Sequence, residues 1–142
     1  LTPKDYIETL SDLFQIFHSC LKTYGSAPGM FNGAIISREN LLKGSYTALS
    51  YLTLKINAPI PIDACHIMEK GYYATCFHTG DIGKIAETYE RLKDFIARIG
   101  FEIAGDSLEN DFINYLHTDD PERFCKEILI PVRKMCSNAA EA

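Results

Sequence analysis

Between Gly71 and Val132 the apolar period changes from two to about 3.6 and back to two, and few folds accommodate that order. Tyr72–His78 alternates Tyr73, Thr75 and Phe77 against Tyr72, Ala74, Cys76 and His78. Both sets are largely apolar or aromatic, as in a strand covered on two faces. Thr79-Gly80-Asp81 then leads into a helix predicted over Asp81–Ile99, with Asp81 as its N-cap. Ile82, Ile85, Ala86, Tyr89, Leu92, Phe95, Ile96 and Ile99 form its expected buried face, and Gly100 ends it. Two strands follow, roughly Asp106–Tyr115 and Phe124–Val132, joined by the turn residues Thr118-Asp119-Asp120-Pro121-Glu122. The unit is strand, helix, strand, strand: an α+β pattern.

The first half carries a shorter version. Thr2-Pro3 with Asp5 opens a helix whose apolar positions, from Tyr6 and Ile7 to Phe17 and Leu21, keep a 3–4 spacing up to Gly25. A strand is expected over Met30–Ser37, with Asn32-Gly33 as an irregularity inside it. Arg38–Gly44 is a polar or short helical turn, and Ser45–Ile56 is rich in strand formers. Aligning Pro3–Phe17 with Ile82–Ile96 without gaps matches Glu8 to Glu87, Thr9 to Thr88 and Leu13 to Leu92. The expected fold is therefore a duplicated module with pseudo-twofold symmetry. Its two halves span about 1–57 and 64–134, with a proline-broken connector at 58–63 and a fraying tail at 135–142. The whole is one domain. The duplication predicts one more strand just before Leu1, which is not an initiator methionine, so the chain is expected to come from a longer one.

Composition narrows the function classes. The chain has 142 residues and a formal charge of −5, and its basic residues are scattered, so no stripe tracks a phosphate backbone. An acidic body suits a small cationic partner. The five cysteines form no C-x-x-C and no cluster with a histidine, which points to a reducing, cytoplasmic setting without a metal or other cofactor. His18, His66, His78 and His117 lack metal spacing. No apolar run reaches the ~20 residues of a membrane span. Glu109 opens a segment otherwise rich in apolar and aromatic residues. It is either a solvated strand-end residue or a buried carboxylate that must be paired, protonated or waiting for a cation.

Several pieces in order resemble a known family: Gly71-Tyr72-Tyr73-Ala74, His78-Thr79-Gly80-Asp81, Phe95-Ile96-Ala97-Arg98-Ile99-Gly100, Glu109, Asp120-Pro121-Glu122 and Glu127-Ile128-Leu129-Ile130-Pro131-Val132. The chain looks like the gyrase-inhibitor-like small-molecule-binding domain, found at the C-terminal end of MerR-type and AraC-type transcription regulators. The likeness is good over about Ala64–Val132 and weaker over Leu1–Asn57.

The resemblance implies a pseudo-twofold module whose two sheets flank a groove. In multidrug-sensing regulators that groove is lined by aromatics around one buried glutamate and takes lipophilic cations. Glu109 falls at that glutamate's position. Ile85 and Phe124 stand where such regulators can carry pocket tyrosines, and Asn32 stands near an aromatic pocket position. The acid is kept, while the aromatic cage is either thinner or rebuilt from Phe14, Tyr51, Phe112 and Tyr115. His78 either points into the groove or is a satisfied histidine at a helix entrance.

Two classes of function follow. One is the effector-binding domain of a regulator that reaches DNA, and forms any homodimer, through a part absent from this chain. The other is a small-molecule hydrolase on the same scaffold with Glu109 as acid or base. A stand-alone ligand- or protein-binding module is a third option.

Overall fold

The computed structural model describes Ser11, Asp12, Gln15, His18, Ser19, Lys22, Thr23, residues 32–54, Pro59, Pro61, Asp63, residues 65–115 and residues 117–135. The seven positions between Ser11 and Thr23 are helical and exposed, as expected for the polar side of the first predicted helix. Its apolar positions, Phe14 among them, lie outside the described residues, as do half of the connector and the tail beyond Met135.

The fold is α+β. Strands β1 (Asn32–Ile36), β2 (Tyr51–Leu54), β3 (Tyr72–Thr79), β4 (Phe101–Ile103), β5 (Ser107–Ile113) and β6 (Cys125–Lys134) form a single antiparallel sheet. Its order is β2-β1-β5-β6-β3. Besides the helical positions between Ser11 and Thr23, two helices accompany it among the described residues, α1 (Arg38–Lys43) and α2 (Ile85–Arg98). The strands expected to form two sheets, one per half, are joined edge to edge. Ala34 lies opposite Glu109 and Ile36 opposite Ser107 across the β1–β5 ladder.

The long second-half elements follow their periodicity. Asp81 accepts a hydrogen bond from Gly83 N and starts a short 3-10 turn, after which α2 runs to Arg98. Gly100, with φ near 77°, takes the left-handed conformation just past the helix end. The buried stripe of α2 is Ile85, Thr88, Tyr89, Leu92 and Ile96. It is narrower than the composition suggests, for Ile82, Phe95 and Ile99 sit off the stripe and are 40–45% exposed. The stripe packs on Ile36, Ala74, Ile128, Ile130 and Val132 of the sheet and on Leu41 of α1. Burying each large aliphatic side chain contributes about 1.5–3 kcal/mol.

Two segments depart from expectation. Of the strand expected over Ser45–Ile56, the described part forms only Tyr51–Leu54, while Ser45–Ser50 makes turns. The cause is Tyr46, whose ring stacks on Tyr89 with centroids 4.6 Å apart and planes 3° from parallel. That contact ties the segment to α2 and away from the sheet. The second departure is β4, a short strand right after Gly100 that no clear alternation announces. It pairs Ile103 with Val132, and β5 pairs Leu108 with Leu129, so β4 and β5 lie end to end along one edge of β6.

Candidate functional site

The site is built on the sheet face that α2 covers. Alternation along β5 places Ser107, Glu109 and Asp111 on this face and sends Phe112 to the other. Register across β6 sets Lys126 directly opposite Asp111, with His78 of β3 on its far side. Five polar side chains therefore meet in one patch under the N-terminal half of α2.

Glu109 is 1% exposed, and both its carboxylate oxygens are engaged. Tyr89 Oη, reaching down from α2, donates to Oε1 at 2.7 Å. Because that phenol has one proton, Ser107 Oγ is the donor in its 2.9 Å contact with Tyr89 Oη. Lys126 Nζ pairs closely with Glu109 Oε2 and lies 3.3 Å from Asp111 Oδ1. The second contact is an ion pair that falls short of good hydrogen-bond geometry. Burial, then the Glu109 charge, pushes the Tyr89 phenol far above its ordinary value, so it stays a donor. Of the three alternatives for a buried Glu109, the structure shows the paired one, with Lys126 as the cation.

Burial pulls the Lys126 ammonium down, but Glu109 and then Asp111 outweigh it, and the net shift is upward from 10.5. A group whose pKa is raised by folding stabilises the fold fully below its unfolded pKa, and this is lost as pH climbs through the folded value. Wild type is therefore expected to melt above Lys126→Met by a constant margin up to about pH 10, and by a shrinking margin beyond it. Thermal melts across that range check this. A margin unchanged above about pH 11 would rule out a charged Lys126 as the partner.

Next to this patch lies a cavity of about 670 Å³, within the range of small-molecule sites. Its walls include Ala34, Leu49, Leu52, Ile85, Ile113 and the rings of Tyr46, Tyr115 and Phe124. Glu109, Asp111, Lys126 and His78 also line it. Among the described lining residues Lys126 is the only lysine or arginine, so two buried-face carboxylates share one ammonium there. A second depression, about 320 Å³, lies under residues 66–73 and gathers no comparable set of buried charges.

Of the residues singled out from sequence, Glu109, His78, Ile85, Tyr115 and Phe124 come together at the cavity. His78 is 5% exposed and satisfied: its ring nitrogens contact Thr88 Oγ1 at 2.8 Å and the Asp81 carbonyl at 3.1 Å. Tyr51 and Phe112 are not brought to the cavity. Tyr51 pairs with Ile35 on the opposite face and is 67% exposed, and Phe112 packs edge-on against Phe77 there. Phe14 and the Asn32 side chain lie outside the described residues. Sequence reasoning missed Lys126, Asp111, Tyr89 and Tyr46 as parts of the site. Asp111 was within reach, since it shares the parity of Glu109. Lys126 needed the hairpin register.

Tyr46 extends the site to the surface. Its hydroxyl donates to Glu90 and accepts from Lys93 Nζ at 2.7 Å, while its ring lies on Tyr89. Among the described residues no helix is long and apolar enough to cross a membrane, and no three His, Cys, Asp or Glu residues are grouped to hold a metal ion.

No family profile matches the chain, and no solved structure does. The chain is similar to the multidrug-efflux transporter 2 regulator of Bacillus subtilis (strain 168), with 27% identity over 135 residues. The match takes in 95% of this chain but only 47% of the relative, so the chain spans about half the length of the regulator it resembles.

Proposed function

We propose that this chain is the small-molecule effector-binding domain of a bacterial transcription regulator, and that it takes lipophilic or aromatic cations above Glu109. The observation that carries the reading is an apolar, partly aromatic cavity whose floor sets two carboxylates against one ammonium. At neutral pH that floor has one negative charge in excess, in a place where water is scarce and coulombic terms are large. Ring faces add roughly 0.5–2 kcal/mol each for a cation held against them. The similarity to a multidrug-efflux regulator supports the same reading. The ligand acts by its differential affinity for two states of the regulator, and DNA contact belongs to another part of it in the cytoplasm. A hydrolase role for Glu109 is less well supported. Both oxygens are committed to Tyr89 and Lys126, an arrangement suited to holding charge rather than shuttling a proton.

The test compares two probes of one shape and opposite charge, tetraphenylphosphonium and tetraphenylborate. Tyrosine fluorescence reports binding, since the chain has eight tyrosines and no tryptophan. Saturable binding of the phosphonium, with the borate at least about tenfold weaker, is expected. Glu109→Gln leaves Lys126 and Asp111 as a neutral pair and should lower phosphonium affinity roughly tenfold. Equal binding of the two probes would refute a cation site.

A further inference from the structure

Lys126 has four rotatable side-chain bonds and no partner among the described residues except the two carboxylates of the floor. Its side chain is 17% exposed, and Phe124 and Cys125, the residues just before it, line the same cavity. The ammonium sits where one positive charge can face both Glu109 and Asp111. A ligand cation seeking the deepest negative potential in the cavity meets that position already taken. Placed beside it, the ligand is repelled by a like charge a few ångströms away. Placed in its stead, it faces both acids, and the lysine reaches water by rotating about its own stem.

We propose that Lys126 is a resident counter-ion which holds the floor in the ligand-free state and is displaced by an incoming cation, so that it sets the affinity threshold of the site. This rests on the cation reading of the cavity. Because the competitor is tethered, its effective concentration is high and constant. Only ligands that add apolar contact with the walls to their charge exceed it, and small hydrated cations such as ammonium or sodium do not. Lys126 thereby discriminates amphiphilic cations from simple salts.

The experiment uses tetraphenylphosphonium and 1-naphthylmethylammonium with three forms of the whole chain. Lys126→Met keeps an unbranched apolar side chain, removes the competitor and leaves two acids. It should bind both probes at least about tenfold more tightly than wild type. Glu109→Gln/Lys126→Met restores the wild-type floor charge and should fall back to near wild-type affinity. A reading independent of affinity comes from amine-reactive labelling of wild type followed by peptide mapping. Modification of Lys126 should rise when the phosphonium saturates the site, and it needs no variant to fold. If wild type binds the phosphonium but Lys126→Met gains nothing, or Lys126 labelling stays flat at saturation, the exchange is refuted and the cation site survives. If neither chain binds either probe, the cation reading itself falls and the exchange with it.

Discussion

Glu109→Ala is expected to destabilise the protein by about 3 kcal/mol, at the lower end of the range for removing one member of a buried ion pair. Three losses combine. Lys126 loses its closest counter-charge, and Tyr89 Oη, buried at the helix–sheet junction, loses its acceptor. A void also opens where the side chain was. The total stays near the lower end because Lys126 keeps Asp111 and has a route to water. Glu109→Gln keeps an acceptor for the phenol and should cost about half as much. Glu109→Leu combined with Lys126→Met replaces the pair by apolar groups and should recover most of the loss. Urea midpoints for the four chains decide the matter. A Glu109→Ala cost under about 1 kcal/mol would mean that Glu109 is solvated, whatever the cavity beside it. Recovery in the double variant would mean that the pair is kept for something other than stability, and ligand exchange is a use that fits.

What was legible beforehand divides along a physical line. β3, α2, β5 and β6 were readable because each has its own period, and Asp81 and Gly100 mark the two ends of the helical segment. Ser45–Ser50 was misread because strand propensity describes local fit, whereas Tyr46 is held by a ring and two charged groups some 45 residues away. β4 was missed because it is three residues long and its line is broken before β5 starts. Burial of Glu109 was approachable through strand alternation and the family likeness. Its partners were not, since Lys126 meets Asp111 only through a hairpin register that carries an irregularity between Asp111 and Ile113. Tyr51 and Phe112 were chosen for their rings, but on a strand the parity of a position decides which face the ring joins. Phe112 lies one residue from Asp111 and so on the wrong side.

Gly33→Ala should cost about 3 kcal/mol or more, because the main obstacle is the β5 backbone. A Cβ at this position would stand 1.9 Å from the carbonyl oxygen of Glu109 and 3.0 Å from Thr53 Oγ1. The Thr53 hydroxyl can give way by a side-chain rotation, but the β5 backbone cannot turn aside. Relief requires β1 to move away from β5, and that pair is the seam joining the first-half strands to the second-half strands. Each ladder hydrogen bond stretched there costs about 0.5–1.5 kcal/mol. The displaced residue on β5 is Glu109 itself, so the substitution should also disturb the cavity floor and weaken cation binding in the chains that remain folded. Gly71→Ala is the matched control, since a Cβ there meets nothing within 4 Å, and it should stay within about 0.5 kcal/mol of wild type. Denaturant midpoints together with near-ultraviolet tyrosine dichroism distinguish a moved seam from simple loss of fold. If Gly33→Ala is as stable as Gly71→Ala, β1 does not approach Glu109 this closely, and the β1–β5 seam does not join the two halves at Glu109.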